Sequence, residues 1–84
     1  MQTVYFYTKD HCPLCDEAEA LLNLLQHEYS FHVEKRDIYT HDEWLEKYHL
    51  IIPVVVLNGE ELNSNSMNYE SLDAFLKKHL KHHS

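Results

Sequence analysis

Two cysteines three positions apart, in Cys12-Pro13-Leu14-Cys15, are the residues of this chain whose type and spacing could do chemistry. On a helix such positions lie one turn apart on the same side, so the two sulfurs can meet in a disulfide across that turn. Opening and closing that bond moves two electrons, which makes reversible thiol–disulfide exchange the first chemistry to consider. The reactive form is the thiolate. Pro13 suits the first turn of a helix, where a missing N–H costs nothing. A cysteine at that point faces the positive end of the helix dipole and unpaired backbone N–H groups, and both lower a thiol pKa. The plainer reading is two buried cysteines acting as small hydrophobes. It leaves the intervening proline and the junction position unexplained.

The elements that must hold this pair can be read from pattern. Gln2–Tyr7 is β-branched and aromatic without clean alternation, a strand to be covered on both faces. From Pro13 the period changes to 3.6: Leu14, Ala18, Leu21, Leu22 and Leu25 share one helical face, ending near Glu28. Phe31–Ile38 reads as a second strand. Thr40-His41-Asp42-Glu43 has the form of a capping box, opening a short helix through Trp44, Leu45 and Tyr48. Val54–Leu57 follows Pro53 as a third strand, and Asn58-Gly59 signals a tight hairpin to Glu60–Asn63. A polar stretch, Asn63–Asn68, leads into a last helix with Leu72, Phe75, Leu76 and Leu80 on one face. Lys77, Lys78 and Lys81 cluster at its end, where the dipole favours cations. The order β-α-β-α-β-β-α gives a parallel pair with a right-handed crossover, then a hairpin and a covering helix.

Composition narrows the partners. Eighty-four residues make one small domain, 1–84, and 44% hydrophobic with 25% charged residues is ordinary globular composition. Seven Lys/Arg against fourteen Asp/Glu leave a formal charge of −7, which disfavours nucleic acid and anionic membrane. No apolar run approaches the roughly 20 residues of a membrane span, and the first residues lack the pattern of a signal peptide. A cytoplasmic, monomeric protein is expected. Two cysteines are too few for a disulfide-stapled secreted domain. His11 with Cys12 and Cys15 supplies three metal ligands where a closed zinc site takes four, so no metal is assigned. Tyr5, Tyr7, Tyr29, Trp44 and Tyr48 are read as core and rim, and His79, His82 and His83 as a solvated C-terminus.

The stretch from Thr8 to Cys15 resembles the active-site segment of glutaredoxins, small members of the thioredoxin fold. Ile51-Ile52-Pro53-Val54 is similar to the segment carrying that fold's cis-proline, and Asn58-Gly59-Glu60 to the hairpin after it. The Cys-Pro-Leu-Cys-Asp start is most similar to a bacterial glutaredoxin-like family. The resemblance covers roughly residues 2 to 80 and implies an α/β minimal thioredoxin fold, with a four-stranded mixed sheet and helices on both faces. It implies a dithiol oxidoreductase acting on protein or small-molecule disulfides, with Cys12 as the exposed attacking thiol and Cys15 as the buried resolving thiol. Pro53 would be cis and stand opposite the cysteines, and it and Pro13 would contribute to substrate binding. The Ile52 backbone would pair with substrate, and Lys9 would help hold a glutathione carboxylate and the thiolate. The alternative is a non-catalytic binding module, or a metal or iron–sulfur carrier using Cys12 and Cys15.

Three departures bear on cofactor and donor. Asn63–Asn68 has no glycine where glutathione-using relatives carry a Gly-Gly turn, and a Cβ hinders close approach of a ligand to backbone. Asp16, Glu17 and Glu19 follow Cys15 where many glutaredoxins are basic; negative charge there raises a thiol pKa and repels an anionic tripeptide. No carboxylate lies in Val4–Tyr7, where thioredoxins bury an aspartate; Phe6 occupies that stretch. The expectation is therefore no tightly bound cofactor, with glutathione a poor ligand. Electrons would come from glutathione or a reductase, and the substrate would be a disulfide-containing protein.

Overall fold

The structure, a computed structural model, describes residues 1–80. Strand β1 (Gln2–Thr8) is followed by helix α1 (Pro13–Leu25), β2 (Phe31–Asp37), helix α2 (Asp42–Tyr48), β3 (Val54–Leu57), β4 (Glu60–Leu62) and α3 (Tyr69–His79). Two 3₁₀ turns, Ile38–Thr40 and Ser64–Ser66, precede α2 and α3. The sheet order is β2-β1-β3-β4, with β1 parallel to β2 and antiparallel to β3, and β3 antiparallel to β4. This is the α/β minimal thioredoxin fold expected from the sequence. The parallel pair needs a crossover, which α1 supplies, whereas β3 and β4 need only a two-residue turn.

The central position of β1 explains its unalternating sequence. Val4 and Phe6 are fully buried, and Tyr7, on the other face, is nearly so. Tyr7 meets the rings of Trp44 and Tyr48 from α2 at 5.5 and 4.4 Å. Successive strand residues point to opposite faces, so Val4 and Phe6 belong to the layer covered by α1 and α3. There Ala18, Leu22 and Leu25 of α1 join Leu72 and Leu76 of α3 in the core. The Asn58-Gly59 turn has φ of 53° and 80°. Both lie in the left-handed region that a type I′ hairpin requires and that Asn and Gly tolerate best.

Two local expectations are corrected. Thr40 does not cap α2, because the chain first makes a 3₁₀ turn over Ile38–Thr40. Asp37 caps that turn through Tyr39 N–H, and Thr40 Oγ1 donates to Asp37 O at 2.7 Å. The residue at the N-cap of α2 is His41, whose side chain makes no cap bond. His79 is not part of a solvated tail. It lies in the last turn of α3 with its ring against Phe75, and it pairs with Glu60 of β4. His82, His83 and Lys81 lie outside the described residues. Among the described residues, no helix is long and apolar enough to cross a membrane.

Candidate active site

Where β1 ends, residues 9–11 turn the chain through a left-handed residue, His11, with φ of 54°. Few L residues adopt that conformation, and histidine is among those enriched there. The turn delivers Cys12 as the N-cap of α1 in extended conformation, with φ −124° and ψ 98°. Its carbonyl accepts the N–H of Asp16 at 3.0 Å, and its sulfur accepts the N–H of Cys15 at 3.1 Å. The sulfur thus does the work usually given to a Ser or Asp side chain at a helix start. Cys12 and Cys15 are joined as a disulfide, with their Cα atoms 5.2 Å apart.

Both cysteines belong to the covered part of the molecule. Cys12 is 8% exposed and Cys15 is 1% exposed. In this oxidised pair Cys12 is covered and not the exposed residue expected, though it remains the less buried of the two. The exposed feature is instead Leu14, between the two cysteines, at 59%. Lys9 is part-exposed, and its ammonium makes no hydrogen bond or ion pair among the described residues. A neutral disulfide offers that ammonium no charge to approach.

The Ile52–Pro53 peptide bond is cis, as the resemblance implies. Tyr7 pairs with Val54, so this dipeptide arrives at the same end of β1 from which the cysteine loop departs. Both side chains are buried, Pro53 almost completely. A tie that sequence reading missed fixes the approach: Ser64 N–H donates to Ile51 O at 3.1 Å, across thirteen positions. The polar stretch after β4 is therefore ordered by its own side chains. Asn63 accepts from Asn65 N–H, and Asn68 accepts from Ser71 N–H, both at 2.9 Å. These Asx caps satisfy helix-start donors that an anionic ligand would otherwise use. The spacing of the asparagines, each two or three residues before its donor, was the available signal.

The covered polar groups beneath α2 and the exposed acids near the cysteines are placed differently. On the α2 face of β1, Arg36 lies over Tyr5 at 4.2 Å and Trp44 at 5.0 Å, and its guanidinium donates to Tyr7 Oη at 2.9 Å. Desolvation works against the charge on Arg36, and hydrogen bonds to Glu34 and Tyr7 more than restore it, leaving its pKa raised. Burial, then the hydrogen bond to Glu61, raises Tyr48, while Glu61 also stabilises the protonated Lys47. Near the end of α1, burial and then the 2.8 Å hydrogen bond to Asp73 push Tyr29 up to about 12. Around the cysteines, Asp10, Asp16 and Glu17 are exposed and, among the described residues, make no ion pair or hydrogen bond through their side chains. Glu19 differs, being paired with Lys35 at 3.1 Å. The described residues bring together no group of three or more His, Cys, Asp or Glu placed to hold a metal ion.

Among solved structures the chain is similar to the oxidised thioredoxin of Plasmodium falciparum, with a TM-score of 0.70 at 19% identity over 94% of this chain and 81% of that one. A mutant thioredoxin from Halobacterium salinarum NRC-1 gives 0.69 at 16% identity, over 98% and 77%. A malarial protein gives 0.64 at 20% identity, over 94% and 97%. These likenesses concern the fold. A cysteine pair within bonding distance at the start of α1 gives that fold a redox function. The sequence itself matches the model of the glutaredoxin-like domain (DUF836) over residues 3–77, and the chain belongs to that family.

Proposed function

We propose that the protein is a dithiol–disulfide oxidoreductase that reduces disulfides of other proteins. The carrying observation is the placement of Cys12 Sγ at the helix start, bonded to Cys15 and accepting its N–H. In the reduced protein the same N–H and the helix dipole favour a thiolate at Cys12. That thiolate attacks one sulfur of a substrate disulfide, forming a mixed disulfide and releasing the first substrate thiolate, which takes a proton from water. Cys15, once deprotonated, attacks Cys12 Sγ. The second substrate thiol leaves, and the Cys12–Cys15 disulfide holds the oxidising equivalents. A reductase or a small thiol returns two electrons to complete the cycle. The Asx-capped turn at Asn63–Asn68 and the unpaired Asp16 argue for slow turnover with glutathione as that thiol.

Trapping with Cys15→Ser tests the reading. This variant stalls after the first attack and accumulates mixed disulfides through Cys12, while Cys12→Ser accumulates none. Mass-spectrometric location of the linkage at position 15 in the wild type would reverse the two roles. A purified protein that carries an iron–sulfur chromophore and exchanges no disulfide would favour the carrier reading instead.

A further inference from the structure

The surface around the cysteine pair combines an exposed apolar side chain with unneutralised negative charge. Leu14 stands between the two cysteines at 59% exposure. Asp10 precedes Cys12 by two residues. Asp16 follows it by four, which places it on the same side of α1. Among the described residues neither has a cationic partner, and Glu17 in the same turn has none either. Elsewhere the acidic residues Glu19, Glu34, Glu60 and Glu61 are each matched by Lys35, Arg36, Lys78 and Lys47. Other exposed acids, among them Asp42, Glu43 and Glu46 of α2, also lack a cation among the described residues, but Asp10 and Asp16 are the ones placed beside the reacting sulfur, where Lys9 is the one cation in the same loop.

We propose that the substrate is a protein disulfide carried on a segment with basic residues and an apolar residue next to its cysteine. This rests on the oxidoreductase reading and names the substrate class for the same pair. Basic groups on the incoming segment supply what Asp10 and Asp16 lack, and an aliphatic side chain covers Leu14. Electrostatic attraction of this kind acts mainly on the encounter rate and fades with salt. The reaction stays as written above: two protein thiols become one disulfide, and one peptide disulfide becomes two thiols.

The test is a single turnover, so no electron donor is needed. Reduced, desalted protein is mixed with disulfide-linked homodimers of the tetrapeptides Lys-Cys-Leu-Lys, Gln-Cys-Leu-Gln and Glu-Cys-Leu-Glu, capped at both ends. Rates are normalised to the Gln peptide, and the comparison is repeated with Asp10→Asn/Asp16→Asn/Glu17→Gln. Taking wild type over variant cancels each peptide's own reactivity and any general change in the protein thiol. The expected result is a Lys-to-Glu ratio about tenfold larger in the wild type at low salt, shrinking toward the variant's at high salt. Replacing Leu by Ala in the Lys peptide slows the wild type further. An equal ratio in wild type and variant overturns the inference and leaves the oxidoreductase reading intact. Failure to oxidise with any of the peptides overturns the reading beneath it.

Discussion

The two faces at the end of β1 are built on opposite rules. Beneath α2 the covered polar tips are partnered: Arg36 with Glu34 and Tyr7, and Tyr48, with Lys47 beside it, on Glu61. At the cysteines the polar groups stand open, the charges unmatched and Leu14 uncovered. Buried polar groups cost free energy unless they are satisfied, so a region whose role is support closes its networks. A region that must receive another molecule leaves some of its groups unsatisfied until that molecule arrives. The difference separates the residues that hold the fold from those that do the chemistry, and each half can be attacked independently.

The largest effect belongs to the open side. Cys12→Ser should reduce the rate of disulfide exchange by about a thousandfold or more, since the nucleophile is gone. Its stability should stay within about 1 kcal/mol of the reduced wild type, measured by denaturant titration. The closed side should show the converse. Trp44→Ala removes the ring shared by Tyr7, Arg36 and His41 and should cost about 2–3 kcal/mol of stability. The rate at which reduced Cys12 takes up iodoacetamide should change less than about twofold. A slowed alkylation would show that the aromatic tier also shapes the site.

A third prediction concerns Tyr29, whose pKa is raised to about 12. The folded state holds this proton more tightly than the unfolded chain, where the phenol ionises near pH 10. The stability it contributes is therefore complete below about pH 10 and is lost as pH rises toward 12. Tyr29→Phe should cost about 1 kcal/mol at neutral pH and flatten that alkaline decline, followed by denaturant midpoints from pH 9 to 12. Tyr48, raised by burial and Glu61, leaves a residual slope in the variant. The smallest effect sharpens the open side. Asp16→Asn should lower the Cys12 pKa by about 0.4–0.7 units, read from alkylation against pH, and added salt should shrink the shift. Glu17→Gln should do less, because its position points away from Cys12 around the helix.

Most of the fold is legible because its local signals agree. Pro13 opens α1, Asn58-Gly59 makes the hairpin, and the leucine spacing of α1 and α3 marks their buried faces. What escaped depends on contacts distant in sequence or on competition between nearby caps. Thr40 does not cap α2 because it closes a 3₁₀ turn capped by Asp37, which leaves His41 at the start of α2, and nothing at Thr40 itself announces that. The cage around Arg36 joins residues from Tyr5 to Trp44, and no spacing rule brings them together. At the site, the cysteine pair could be read directly, and the cis-proline only through the family resemblance. The covering of Cys12 could not, since burial is decided by packing.

The disulfide spans a separation of only three residues. A cross-link stabilises mainly by restricting the unfolded chain, and a loop this short restricts it little: about 2 kcal/mol by the chain-entropy relation, against about 4.7 for a hundred-residue loop. Nearly all of the architecture lies outside the loop and is secured by the β1 pairings and the α1–α3 layer. Oxidation and reduction can therefore alternate at the helix start while the scaffold keeps its shape. The bond is free to serve as a reagent because the protein does not depend on it as a rivet.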